Sequence, residues 1–201
     1  MFRRIERRFQ LETMRLRLLA NGHRDSFDIF THLTKNERTM LYWLGLQCPQ
    51  GSRFVEIGSY LGASSCFLAA AARERVGTLH CVDTWLNHKM SEGQRDTWGE
   101  FLRNTERYRE VIQTHRGWSE DVAREFTQGI DLLFIDGDHS YEGCRRDVEA
   151  WLPKLISGGY VVFHDYDAGT VRAVVEELVC PIAAGNVGLL NRTYWTQIER
   201  R

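Results

Sequence analysis

The densest chemistry in the chain lies in two short segments, Asp136-Gly137-Asp138-His139-Ser140-Tyr141-Glu142 and His164-Asp165-Tyr166-Asp167. Each directly follows an apolar run, Leu132–Ile135 and Tyr160–Phe163. Such runs, bounded by glycine and polar residues, read as buried strands. Carboxylates crowded at one place raise one another's pKa, and folding gives no reason to gather them. If the two strands are neighbours, Asp136 and Asp165 converge at their tips. Two hard oxygen donors beside imidazole suit a divalent ion such as Mg²⁺ or Mn²⁺, with Asp136, His164 and Asp165 as the candidate ligands. Asp138 and His139 are the candidate general bases, and imidazole is the better matched to neutral solution.

A second set of residues follows the strands nearer the N-terminus. Phe54–Ile57 leads into Gly58-Ser59-Tyr60-Leu61-Gly62-Ala63-Ser64, a turn in which glycine permits close backbone approach and after which a helix start offers free amides. Its spacing is not the G-x-G-x-x-G of dinucleotide sites, which argues against NAD. Leu79–Val82 leads into Asp83-Thr84-Trp85, where a carboxylate can accept both hydroxyls of a ribose and Trp85 can lie against a purine. The third turn, His115-Arg116-Gly117-Trp118-Ser119, offers a small hydroxyl for an adenine edge, or Ser119 serves only as a helix cap.

The elements that must position these residues alternate along the chain. Thr34-Lys35-Asn36-Glu37 is a capping box that opens a helix carrying Leu41, Leu44 and Leu46, ended by Pro49-Gln50-Gly51. Helices are expected over Ala63–Ala72, over Trp98–Tyr108, from Ser119, through Val148, Trp151, Leu152 and Leu155, and from Thr170 to about Val179. A short strand falls at Val111–Gln113, and Val187–Ile198 reads as a closing hairpin. Strands interleaved with helices imply a mostly parallel sheet covered on both faces, with ligands beyond the carboxyl ends of the strands.

Composition sets the bounds. The chain has 201 residues, 43% hydrophobic and 26% charged, as expected of one globular domain. A net charge of -1 does not suit a nucleic-acid partner. No apolar run is long enough for a transmembrane helix and no secretory signal is evident, so a cytoplasmic location is expected. Five cysteines without a C-x-x-C pair read as reduced thiols. Residues 1–24 are helical in pattern, and seven arginines against two glutamates give them a net +5. Phe9, Leu11, Met14, Leu18 and Leu19 form one face, so residues 1–30 are expected to be a basic lid or packing helix on a domain spanning 31–201.

Taken together these residues resemble the class I S-adenosylmethionine (SAM) dependent methyltransferases. Within them the chain looks like the small O-methyltransferases that act on sugar hydroxyls in macrolide and aminocoumarin antibiotics; catechol O-methyltransferase is a more distant relative. The resemblance spans roughly residues 30–180 and rests on FIDGDHSYEG and GGYVVFHDY, supported by VEIGSYLGASS. It implies a Rossmann-like α/β fold with a seven-stranded, mostly parallel sheet. It implies that Glu56, Gly58, Ser59, Tyr60, Gly62 and Ser64 hold the methionine end of SAM, that Asp83 with Thr84 and Trp85 holds the ribose, and that Gly117, Trp118 and Ser119 hold the adenine beside Asp136. It further implies a divalent ion on Asp136, His164 and Asp165, although those enzymes carry an acid where His164 stands, and imidazole is a poor Mg²⁺ ligand. The expected reaction is methyl transfer to a hydroxyl of a small molecule, a sugar or glycoside first, with His139 or Asp138 as base. The polar segment Asn87–Asp96 favours sugars. The alternatives are a phenol or catechol acceptor, and a non-catalytic SAM-binding scaffold docked in a glycan-assembly complex by its basic helix. A homo-oligomer is compatible with all three.

Overall fold

The computed structural model describes residues 2–87, 93–184 and 186–199, and of residues 2–9 the backbone alone. Among these residues seven strands form one sheet: β1 (Arg53–Ile57), β2 (Thr78–Asp83), β3 (Ile112–Arg116), β4 (Ile130–Ile135), β5 (Leu155–Phe163), β6 (Gly188–Leu190) and β7 (Thr193–Gln197). Their order is β3-β2-β1-β4-β5-β7-β6. The first five are parallel, and the β6–β7 hairpin closes the sheet antiparallel to β5. This is the Rossmann-like α/β arrangement expected from the sequence.

Among the described residues seven α-helices flank the sheet: α1 (Phe2–Ala20), α2 (Lys35–Gln47), α3 (Ala63–Glu74), α4 (Trp98–Thr105), α5 (Ser119–Glu125), α6 (Tyr141–Trp151) and α7 (Gly169–Val174). Alternation along the strands feeds two cores, because successive side chains point to opposite faces. Phe54, Leu79, Leu132, Phe134, Tyr160 and Val162 meet α2 and α3 on one face. Val55, Ile57, Val82, Leu133, Ile135, Val161 and Phe163 meet α6 and α7 on the other.

The Thr34 capping box forms as its residues dictate: Glu37 N–H donates to Thr34 Oγ1 and Thr34 N–H to Glu37 Oε2. Four element boundaries differ from expectation. Pro153 ends α6 in a single 3₁₀ turn, so Leu155 starts β5 instead of extending the helix. β5 is longer than Tyr160–Phe163 because Gly158, at φ +82°, absorbs an irregularity between the Ile130–Leu155 and Leu132–Tyr160 pairs. β3 runs on through polar Thr114, His115 and Arg116, since as an edge strand it needs no second apolar face. The expected Trp98–Tyr108 helix splits into α4 and a 3₁₀ turn at Glu106–Tyr108.

α1 buries Leu11 and Leu18 against α2, with Met14 partly covered, while Leu19 stays largely exposed. Arg17 pairs with Glu74 of α3. Among the described residues α1 lines no part of the cavity below; Phe30–Leu33 takes that place. Through Leu11 and Leu18 the helix packs on the core.

Candidate functional site

Parallel sheets leave a crevice where successive crossovers diverge, here between β1 and β4. Gly58 and Asp136 meet there. Gly58 sits at φ +86°, and a Cβ on it would lie 2.1 Å from the Asp136 carbonyl oxygen. Only glycine lets the two strand ends approach this closely. Above them opens a cavity of about 790 Å³, within the range of small-molecule sites.

Of the candidate cofactor residues, Gly58, Ser59, Tyr60, Ser64, Asp83, Thr84, Gly117, Trp118, Ser119 and Asp136 all line this cavity. Asp83 is fixed from below: Tyr60 N–H donates to Oδ2 at 2.8 Å and Trp85 N–H to Oδ1 at 2.7 Å. Burial raises its pKa, against the pull of these amides. Tyr60, at φ +44°, holds a left-handed conformation to present its amide.

Three candidates lie outside the cavity lining. Trp85 is wholly buried and packs against Trp98 and Phe101, with ring centroids 4.6 and 4.8 Å away, so it offers no face to a purine. Glu56 is also wholly buried beneath the turn, where it accepts from Ser65 Oγ. Burial pushes its carboxyl up to about 7, although the neighbouring hydroxyls oppose it. Gly62 lies outside the lining; it lets the turn pass α4, where a Cβ would meet Thr105 Cγ2 at 2.5 Å. Ser119 lines the cavity yet caps nothing: its Oγ accepts from Trp151 Nε1 at 2.8 Å.

β4 and β5 pair in register, Ile135 opposite Phe163, so Asp136 and Asp165 do converge. Asp165 sits at φ +53°, a costly conformation for a non-glycine residue and one characteristic of functional sites. His139 Nε2 lies 3.0 Å from Asp165 Oδ2 and 3.5 Å from Asp136 Oδ1. His164 Nδ1 lies 3.1 Å from Asp136 Oδ1 and 3.2 Å from Asp165 Oδ2. The carboxylates raise His139 to about 9, Asp136 first and then Asp165. Burial opposes the same effect at His164, yet the two carboxylates carry it to about 10. Asp165 falls well below the usual carboxylate range, because the two imidazoles outweigh its burial. Asp138 lines the cavity and accepts from Ser140 N–H at 2.9 Å, at the mouth of α6.

Donor atoms of Asp136, His139 and Asp165 lie within 4.8 Å of one another. His164 is buried beneath them, its Nε2 without a hydrogen-bond partner and 3.9 Å from Glu37 Oε1.

Two contributors escape sequence reasoning. Glu37, wholly buried, accepts from Arg192 N–H at 3.0 Å and Thr193 Oγ1 at 2.9 Å while it caps α2. Its capping-box spacing was the only signal. Arg192, in the β6–β7 turn, lines the cavity and ion-pairs with Asp165 and Asp167. Nothing local marked it. Asn87 is buried in the wall with Oδ1 unpartnered. The segment expected to favour sugars lies partly outside the described residues, at 88–92.

The family model described as a methyltransferase domain matches residues 55–166, more than half of the chain, from Val55 within β1 to Tyr166. The chain belongs to this methyltransferase family. Among curated proteins it is similar to the uncharacterised protein y4gI of Sinorhizobium fredii, 32% identical over 126 residues, which are 56% of this chain and 13% of that protein. An uncharacterised protein of Acanthamoeba polyphaga mimivirus is 41% identical over 61 residues, 28% of each. The chain thus spans only a small part of the length of the curated relatives it matches. Among solved structures, this methyltransferase resembles the O-methyltransferase NovP with a TM-score of 0.71 at 18% identity, over 85% of this chain and 82% of that one. TomG of Streptomyces achromogenes, an O-methyltransferase solved with SAM, gives 0.64 at 18% identity, over 84% and 82%. CalS11, a TDP-rhamnose 3'-O-methyltransferase of calicheamicin biosynthesis, gives 0.62 at 16% identity, over 80% and 76%. At these identities the likeness is one of fold.

Proposed function

We propose that the protein is a SAM-dependent O-methyltransferase whose acceptor is a hydroxyl of a small molecule, a sugar or glycoside. The observation that carries this reading is one continuous cavity joining the Gly58–Ser64 turn and Asp83 to the Asp136–His139 and His164–Asp165 tips. The donor chemistry fits SAM. The turn offers amides and close backbone approach, Asp83 offers an amide-anchored carboxylate to a diol, and the unpartnered Asn87 Oδ1 awaits a donor. Gly58, Ser59, Tyr60 and Ser64 would hold the methionine end, Asp83 and Thr84 the ribose, and Gly117, Trp118 and Ser119 the adenine. When bound, the cofactor supplies a methyl group on a sulfonium, reactive enough that the protein's main task is positioning.

Of the two candidate bases, the surroundings favour His139. Asp165 faces its Nε2 and fixes the tautomer with the proton there, which leaves Nδ1 as the atom that takes the acceptor's proton. Asp138 is committed to the Ser140 amide and orients the turn. The cavity lining includes the polar side chains Thr31, His32, Arg146 and Arg192, which can engage the hydroxyls of a sugar; the TDP-rhamnose substrate of CalS11 agrees in kind. Phe30, more than half exposed at the cavity edge, favours a second reading, a phenolic acceptor.

The test is SAM titration by calorimetry, followed by methyl transfer to a panel of glycosides and catechols. SAM binds, and Asp83→Ala weakens it by about 1.5–3 kcal/mol, the scale of a charge-assisted hydrogen bond. A glycoside is methylated in preference to a catechol. Absence of SAM binding would sink the reading, and binding without transfer to any hydroxyl would favour the scaffold alternative.

A further inference from the structure

Asp136 and Asp165 are where a divalent ion was expected, yet they do not present a bare acidic pair. Asp165 Oδ1 is ion-paired with the Arg192 guanidinium, and Oδ2 faces both His164 Nδ1 and His139 Nε2. Asp136 Oδ1 faces the same two imidazoles. Asp136 Oδ1 and Asp165 Oδ2 therefore each face two imidazoles, while Asp165 Oδ1 makes no hydrogen bond but lies against a guanidinium that keeps its charge at any working pH. A second cation would have to displace these donors and sit against that charge.

The placement of Arg192 is built rather than incidental. Its N–H donates to the buried Glu37, and its carbonyl accepts from Tyr166 N–H at 2.9 Å. The preceding Asn191, at φ +50°, donates from Nδ2 to Thr34 Oγ1 at 2.9 Å. Thr193 Oγ1 adds a third tie, to Glu37. The β6–β7 turn is thus pinned on the capping box of α2 and on the loop after β5. Arg192 Nε then grips both oxygens of Asp167 at 2.9 and 3.1 Å. What results is a guanidinium held beside Asp165 and facing the cavity.

We propose that Arg192 replaces the divalent ion of this site: its fixed positive charge stabilises the oxygen that loses its proton to His139, so methyl transfer proceeds without a metal. No co-reactant is needed. The acceptor O–H bond breaks with its proton passing to His139, the oxygen's electron pair forms the new O–CH₃ bond, and the S–CH₃ pair remains on sulfur. The proposal rests on the methyltransferase reading for its chemistry but not for its metal test.

The decisive measurement is titration of the whole protein with Mn²⁺, read by the paramagnetic resonance of the free ion, with and without SAM. The wild type should take up no more Mn²⁺ than the Asp136→Asn/Asp165→Asn double variant, up to roughly 1 mM ion. One equivalent bound by the wild type and lost in that variant would overturn the proposal, whatever the reaction proves to be. In the transfer assay, EDTA should leave the rate unchanged, whereas loss of turnover restored by Mg²⁺ would overturn it. Arg192→Gln should lower kcat on the order of 10²-fold with SAM affinity unchanged, and Arg192→Lys should recover part of the loss. Wild-type kcat in folded Arg192→Gln would also overturn it. The turn is held by main-chain bonds that these substitutions keep, and the Mn²⁺ comparison on the wild type needs no Arg192 variant. Failure of SAM to bind, by contrast, sinks the methyltransferase reading and leaves the Mn²⁺ result standing.

Discussion

His139 shows how a residue's role depends on what faces it. Chain spacing marks it as a base only because imidazole titrates near neutrality. Facing Asp136 and Asp165, it is raised to about 9, so near pH 7 most of it carries a proton and cannot accept another. In the proposed role as base, the active form is the neutral imidazole. We expect kcat/KM to rise about tenfold per pH unit toward a plateau near 9, and the rising limb to vanish in His139→Ala. A pH–rate profile that is flat between about 6.5 and 8.5 would mean another group takes the proton. At this scale the sequence was an uneven guide. Residues that follow strands directly, such as Asp83, Asp136 and Asp165, were legible because strand ends in a parallel sheet must face the crevice. Glu56 and Trp85 show the limit of that reading: position in a motif says nothing of which way a side chain turns, and theirs turn into the core. Arg192 was invisible, since a turn arginine becomes part of a site only through a hairpin 27 residues beyond Asp165.

At the scale of elements, periodicity carried most of the architecture. The capping box, the alternating strands and the closing hairpin formed where the residue pattern placed them. The errors fell at boundaries, where Pro153 and Gly158 act through backbone geometry that hydrophobic period does not register. α1 is the larger lesson. Its arginine-rich composition suggests a lid or packing helix with a solvated basic face, and Leu18, 1% exposed, shares a core with Leu33, Met40 and Leu41. Charge on one side of a helix does not prevent burial of the other. Leu18→Ala should therefore cost about 2–5 kcal/mol of unfolding free energy, the range for truncating a buried leucine. The matching Leu16→Ala, on the exposed side, should cost less than about 0.5 kcal/mol. Denaturant melts of both variants make the comparison; equal and small losses would return α1 to the role of an appended arm.

For the whole molecule, the titrating groups divide by pH. His23 and His80 are both lowered to about 4, mainly by burial, so each supports the fold above its unfolded pKa and fails it as pH falls toward 4. Buried Glu56, raised to about 7, and Asp147, raised to about 6, act with the opposite sign: their contribution is complete in acid and is lost as pH rises through those values. Two groups against two over the same interval largely cancel, so stability should change little between about pH 5 and 6.5. Above neutrality nothing offsets the site. His139 and His164 have folded pKa values of about 9 and 10, above the 6.5 of the unfolded chain. The folded state therefore holds more protons than the unfolded one. The stability they contribute is fully present below about pH 6.5 and drains away as pH climbs through 9 and 10. The melting temperature should accordingly fall between about pH 7 and 9.5. Asp136→Asn removes one of the carboxylates that raise both imidazoles, so it should flatten that fall while lowering the melting temperature near pH 6.5. Scanning calorimetry across this range decides the matter. A wild-type melting temperature that holds constant or rises above pH 7, or a slope unchanged by Asp136→Asn, would mean that the imidazoles do not carry their protons in the fold, and that the carboxylate pair is balanced by Arg192 alone.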